Sequence, residues 1–118
     1  MSSNRTTFFA LFETLTHIEN EHRHLVPDLD ARVLLMRVAV ANEKKQPLNV
    51  TQAMSLKTIG SPAMLHRKIN DLLHHDLIEL VFEGTNRRTK YLLPTPKALA
   101  MLDVMANATA SVYNQAKT

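Results

Sequence analysis

The chain contains no cysteine and only two glycines among its 118 residues. The first absence excludes disulfides, thiolate metal sites and cysteine nucleophiles together, and it fits a cytoplasmic protein. The second leaves little room for a glycine-rich phosphate loop or a nucleophile elbow. No paired-carboxylate motif occurs either, so no catalytic residue is assigned and an enzyme is not expected. No run of eighteen apolar residues is present, so no membrane span is expected. The start "MSSNRTTFF" lacks the basic stretch and long apolar run of a signal peptide.

What is present is an ordinary globular composition, 45% hydrophobic, with a length that suits one domain and a small core. The formal net charge is only +3, but it is unevenly spread. Residues 1–30 carry two basic side chains against five acidic ones, whereas residues 57–97 carry seven against four. A polyanionic partner would therefore meet the middle of the chain; the alternative is a merely solubilising surface.

Periodicity gives the elements. Phe8, Leu11, Phe12, Leu15 and Ile18 recur at helical spacing within a first helix expected over residues 5–24, with Phe9 off that stripe. Pro27 breaks it, and Asp28 or Asp30 can cap a second helix over 28–42. Its segment "VLLMRVAVA" is apolar nearly all round and belongs at the centre of a domain. "LNV" (48–50) is long enough for a single sheet contact, and Thr51 reads as the N-cap of a short helix with Ala53, Met54 and Leu56 turned inward.

In "TIGSPAMLHRKINDLL" a breaker pair precedes a helical repeat. Ser61 is the expected N-cap and Pro62 the first helical residue, where its missing N–H costs nothing. Leu65, Ile69, Leu72 and Leu73 face inward; Ala63, His66, Arg67, Asn70 and His74 face outward. Asp76, at the helix end, stands where a left-handed residue is convenient. "LIELVF" and "TKYLL" flank the polar tip "EGTNRR" as a β-hairpin. Thr95 and Pro96 repeat the cap-and-proline device before a last helix over 96–113, with "NQAKT" frayed beyond it. Leu99, Leu102, Met105 and Ala106 form one face of that helix, and Met101, Val104, Ala108 and Val112 another, so it calls for two partners.

Two helices around a tight turn followed by a hairpin make a winged helix-turn-helix, in a fold that is mostly α with a small β wing. The whole chain reads as one such domain, with 48–94 supplying the helix-turn-helix and wing. The sharp start at Ser61 would fix the angle at which the second helix enters a major groove. The expected DNA face of that helix is Ser61, Pro62, Ala63, Met64, His66, Arg67 and Asn70. Arg67 is the best base reader, since a guanidinium pairs bidentately with guanine. Lys68 borders the buried face and could extend its amine to a phosphate.

At "SPAMLHRKINDLLHHDLIELV" and "NRRTKYLLPTPKALAML" the sequence resembles the MarR-type winged-helix transcription regulators, over roughly residues 48–102. The resemblance implies a homodimer held by the first and last helices, bound to a roughly two-fold operator on duplex DNA in a prokaryotic cytoplasm. Arg87 and Arg88 match the family's wing arginines; Thr85, Asn86 and Lys90 complete the expected wing contacts. Phe8, Phe9, Phe12, Met101, Val104, Met105, Ala108 and Val112 are the expected dimer interface. The sequence departs from the family in having Asn86 for an acidic residue and Ala98 and Asp76 for glycines. It is also short for the family, without the usual second C-terminal helix, which implies a smaller dimer.

Two rival readings stand beside this one. One is a winged-helix adaptor that binds protein and not DNA; the other is a regulator gated by a small molecule or metal. No cofactor is assigned. "HIENEHRH" (His17–His24) gathers His17, His22 and His24 with Glu19 and Glu21, but without a fixed ligand spacing, so exposed helix-end histidines are expected and no metal site. His74 and His75 are expected at the carbonyl end of the preceding helix.

Overall fold

The computed structural model describes residues 3–22 and 25–117. The chain is mostly helical, with one two-stranded hairpin: α1 (Asn4–Glu21), α2 (Leu29–Glu43), α3 (Val50–Met54), α4 (Pro62–His74), β1 (Ile78–Phe82), β2 (Lys90–Pro94) and α5 (Pro96–Lys117). It divides into two compact units, residues 25–99 and residues 1–24 with 100–118.

The 25–99 unit is built on α2 and α4. Asp28 caps α2, its Oδ1 accepting from the Ala31 N–H at 2.8 Å. Ala31, Leu34, Leu35 and Val38 are buried, but Val33, Met36 and Val40 are not. The all-round apolar segment thus buries one face only: its neighbours in this unit cover the side toward α4 and β2. On α4, Ser61 Oγ accepts from the Met64 N–H at 3.2 Å and Pro62 takes the first helical position, as the sequence implies. Leu65, Ile69 and Leu72 are buried, and Leu73 is half-buried.

The link between α3 and α4 departs from expectation. The cap of α3 is Asn49, not Thr51. Asn49 Oδ1 accepts from the Gln52 N–H at 2.8 Å, and Gln52 Oε1 accepts from the Asn49 N–H at 2.9 Å. This reciprocal box satisfies two orphan donors at once, which a cap at Thr51 could not do. The helix ends at Met54, and residues 55–61 turn through backbone bonds such as Ile59 N–H to Leu56 O at 2.9 Å. Met64 folds back over Gly60: a Cβ there would lie 2.0 Å from the Met64 Cε, so glycine leaves the room into which the methionine packs.

The hairpin pairs β1 and β2 antiparallel, Ile78 opposite Pro94 and Phe82 opposite Lys90, and Asn49 adds the single bridge, to Tyr91. Asp76 precedes it at φ 58°, the left-handed conformation its position suggested. Thr95, 3% exposed, ties the ends together. Its hydroxyl donates to the Asp76 carbonyl at 2.7 Å and accepts from the Ala98 N–H at 3.1 Å, capping α5.

In the second unit α1 is capped by Ser3, whose Oγ accepts from the Thr6 N–H at 3.1 Å. The helix stops at Glu21, with His22 as its C-cap, earlier than the expected end at residue 24; Arg23 and His24 lie outside the described residues. The His22 Nδ1–H donates to the Ile18 carbonyl at 2.8 Å, closing the last turn. At the other end of the chain α5 continues to Lys117, so "NQAK" is helical rather than frayed. A crevice of about 200 Å³ lined by Thr6, Thr7, Ala10, Val112, Gln115 and Ala116 marks where the start of α1 lies beside the end of α5.

Candidate functional site

The outward face of α4, the start of α3 and the hairpin's second arm enclose a cleft of about 450 Å³. Its floor is apolar, from Ile69 and Leu73 of α4 and Leu80 of β1. Its rim is polar: His66 and Asn70 from α4, Asn49 and Thr51 from the start of α3, and Arg88, Thr89 and Lys90 from the hairpin. The geometry follows from the packing just described. Leu65, Ile69 and Leu72 turn α4 inward, so His66 and Asn70, each one position on from a buried residue and 100° round the helix, face the cleft.

Of the residues singled out on α4, Ser61, Pro62, Ala63, His66, Arg67 and Asn70 are exposed. His66 and Asn70 lie in the cleft, and Arg67 beside it in sequence stands at the open surface. Ser61 also spends its hydroxyl on the helix cap, and Met64 is half-buried against Gly60, which limits what either offers outward.

In the hairpin tip Thr85, Asn86, Arg87, Arg88 and Lys90 are all exposed. Gly84 adopts φ 55°, and the Asn86 Oδ1 accepts from the Arg88 N–H at 2.9 Å, while the Asn86 N–H donates to the Glu83 carbonyl at 3.0 Å. The asparagine braces the tip through the backbone, in the side-chain-to-main-chain turn to which this residue type is suited. The arginines diverge. The Arg87 guanidinium lies 5.4 Å from the centroid of Phe82, and the Lys90 amine 5.8 Å from the same ring, while Arg88 reaches the cleft.

Lys68 is a correction. It is 9% exposed, and its amine is hydrogen-bonded and ion-paired to the Asp28 carboxylate rather than extended toward solvent. That contact, together with the Ala31 N–H and the positive field of Lys68 and Arg67, holds the Asp28 carboxyl below its ordinary value against the opposing effect of burial.

Sequence reasoning did not place Asn49, Thr51 and Thr89 at the site. The "NVTQ" spacing of a capping box was the available signal for the first two, because it fixes where α3 begins. The expected histidine positions are partly met. The His75 Nδ1–H donates to the Asp71 carbonyl at 2.8 Å, and His74 stands edge-on to it. His17 pairs with Glu21 at 2.6 Å. Among the described residues no group of three histidine or carboxylate side chains could hold a metal ion, and no helix is long and apolar enough to cross a membrane. His24 lies outside them.

The expected interface residues fall into two groups. Phe8, Phe9, Phe12 and Val104 are exposed, and Met105, Ala108 and Val112 half-buried. Met101 is only 8% exposed, so its side chain is already covered within the chain and adds little to any surface. Compared with protein-family models and with curated proteins, the chain matches none.

Proposed function

We propose that this protein is a transcriptional regulator of the MarR type, a homodimer that binds duplex DNA sequence-specifically through a winged helix-turn-helix. In this reading α3 and α4 are the helix-turn-helix, α4 is the recognition helix and the β1–β2 hairpin is the wing. The observation that carries the reading is the shared rim of the cleft. Exposed donors from α4 (His66, Asn70) and cations from the hairpin (Arg88, Lys90) meet along one surface, with Arg67 exposed beside them. A helix that offers hydrogen-bonding side chains while a neighbouring hairpin offers fixed positive charge suits base edges in a major groove and the adjoining phosphates. The resemblance in "SPAMLHRKINDLLHHDLIELV" and "NRRTKYLLPTPKALAML" supports the same assignment.

Titration of a labelled random-sequence duplex over a salt series tests it. Affinity falls steeply with salt in the native protein, and Arg87→Ala/Arg88→Ala lowers the slope by about one for each phosphate that the wing no longer neutralises. On a selected operator Arg67→Ala costs about 1–3 kcal/mol and relaxes base preference. Absence of duplex binding at low salt overturns the reading in favour of a protein-binding winged helix.

A further inference from the structure

Two cations stand side by side on α4, Arg67 and Lys68, and the fold treats them oppositely. Arg67 is exposed. Lys68, about 100° further round the helix, is buried, and its amine is tied to Asp28, forty residues earlier in the chain. Asp28 serves two elements at once. One oxygen caps α2 by accepting from the Ala31 N–H, and the other holds Lys68. The Asp28 side chain is itself 41% exposed, so the paired amine ends near the surface rather than in the core. The positive field of Arg67 reaches the same carboxylate, which places all three charges in one neighbourhood.

We propose that Asp28 is a positioning residue that masks Lys68 from a polyanion and fixes the roll of α4, so that of its two adjacent cations only Arg67 is offered to DNA. The inference rests on the DNA-binding reading and adds a residue from outside the helix-turn-helix to it. The physical logic is electrostatic. The Lys68–Asp28 pair carries no net charge to give a phosphate, and a helix anchored at Lys68 does not rotate to present that side chain instead of Arg67. Removing the carboxylate charge leaves a lysine with a flexible four-carbon stem and no anion, next to the surface that carries Arg67.

Asp28→Asn is the informative change, because asparagine caps a helix as well as aspartate does and keeps an acceptor for the Ala31 N–H. Asp28→Ser, which also caps, is the second variant in case the first folds poorly, and circular dichroism verifies both. Lys68→Met removes the cation but keeps the buried stem, alone and combined with Asp28→Asn. With a random-sequence duplex over a salt series, Asp28→Asn steepens the dependence of log affinity on log salt by about one and tightens binding several-fold at 0.1 M salt. Lys68→Met and the double variant keep the native slope. In parallel, amine acetylation of the native protein followed by peptide mapping finds Lys68 slower than the exposed Lys44 and Lys57, and faster by several-fold in Asp28→Asn.

Native binding with an unchanged slope in Asp28→Asn overturns the mask alone. So does a slope already reduced by one in Lys68→Met, because Lys68 would then touch phosphate in the native protein. Equal acetylation of Lys68 and Lys44 overturns it without reference to DNA. Absence of binding in every variant overturns both this inference and the DNA-binding reading.

Discussion

Charge on α4 and its surroundings is decided residue by residue. Asp28 joins the N-terminus of α2 to the side of α4, and its carboxyl is held below the ordinary value by Lys68 first, with the Ala31 N–H and Arg67 adding to the effect. A carboxyl whose folded value is depressed contributes stability that is fully present above its unfolded value of 3.8 and is lost as pH falls through the lower folded value. The native protein is therefore expected to exceed Asp28→Asn in stability by a constant margin at pH 5 and above. The margin narrows below pH 4 and vanishes once the carboxyl is protonated in both states. Urea midpoints for the two proteins from pH 7 down to pH 2.5 measure it; a margin that stays flat to the acid end would mean that the ion pair contributes nothing. Asp28 was legible, alongside Asp30, as one of two candidate caps after Pro27. Its second partner was not, because nothing local in a sequence relates residue 28 to residue 68; only the packing of α2 on α4 brings them together.

At the scale of elements, local chemistry carried most of the reading. Ser61–Pro62, Thr95–Pro96 and the polar tip between two β-prone runs each name their own structure, and all three form. The errors fall where two local signals compete. Thr51 is an acceptable cap, but Asn49 with Gln52 satisfies two donors and wins, which moves the start of α3 two residues earlier, to Val50. The α5 terminus, expected to fray, continues instead to Lys117, where the lysine amine lies 4.5 Å from the Tyr113 ring centroid, one turn back. The cleft rim was half legible. Helical phase exposes His66, Arg67 and Asn70, but the cleft also needs the distance from α4 to the hairpin, which no spacing encodes. One element boundary gives a direct test. The turn that ends α2 places Lys45 at φ 61°, where a side chain is strained and only glycine is at ease. Relief of that conformation is worth about 1–2 kcal/mol, and the freer unfolded chain returns about 0.4–1 kcal/mol of it. Lys45→Gly is thus expected to stabilise the protein by about 0.5–1 kcal/mol in denaturant unfolding. Lys45→Val, β-branched and disfavoured at positive φ, is expected to destabilise it.

For the whole molecule the decisive feature is how the aromatic residues are distributed. The chain has four phenylalanines, and three of them stand within five residues of α1, where Phe8, Phe9 and Phe12 are 62%, 53% and 61% exposed. Scattered exposed apolar side chains are normal on a protein surface; three large rings clustered on one helix leave apolar area that a partner surface would cover. A second copy of the chain is the partner the proposed function requires, because half-sites one helical turn apart are read by two recognition helices and not by one. Phe8→Glu/Phe12→Glu therefore tests the proposed dimer where the fold is least at risk, since both rings already face solvent in the single chain. Burial of each ring is worth about 1.5–3 kcal/mol, and a two-fold interface counts each substitution twice, so the dimer is expected to weaken by at least about 10,000-fold. Sedimentation equilibrium should show a dimer for the native protein and a monomer for the variant at micromolar concentration, with the same helical circular dichroism. On DNA the monomer is expected to keep weak, salt-dependent binding to random duplex and to lose preference for a two-fold operator. A native protein that sediments as a monomer, or a variant that remains a dimer, would remove α1 from the interface and leave the exposed rings of Phe8 and Phe12 to some other surface.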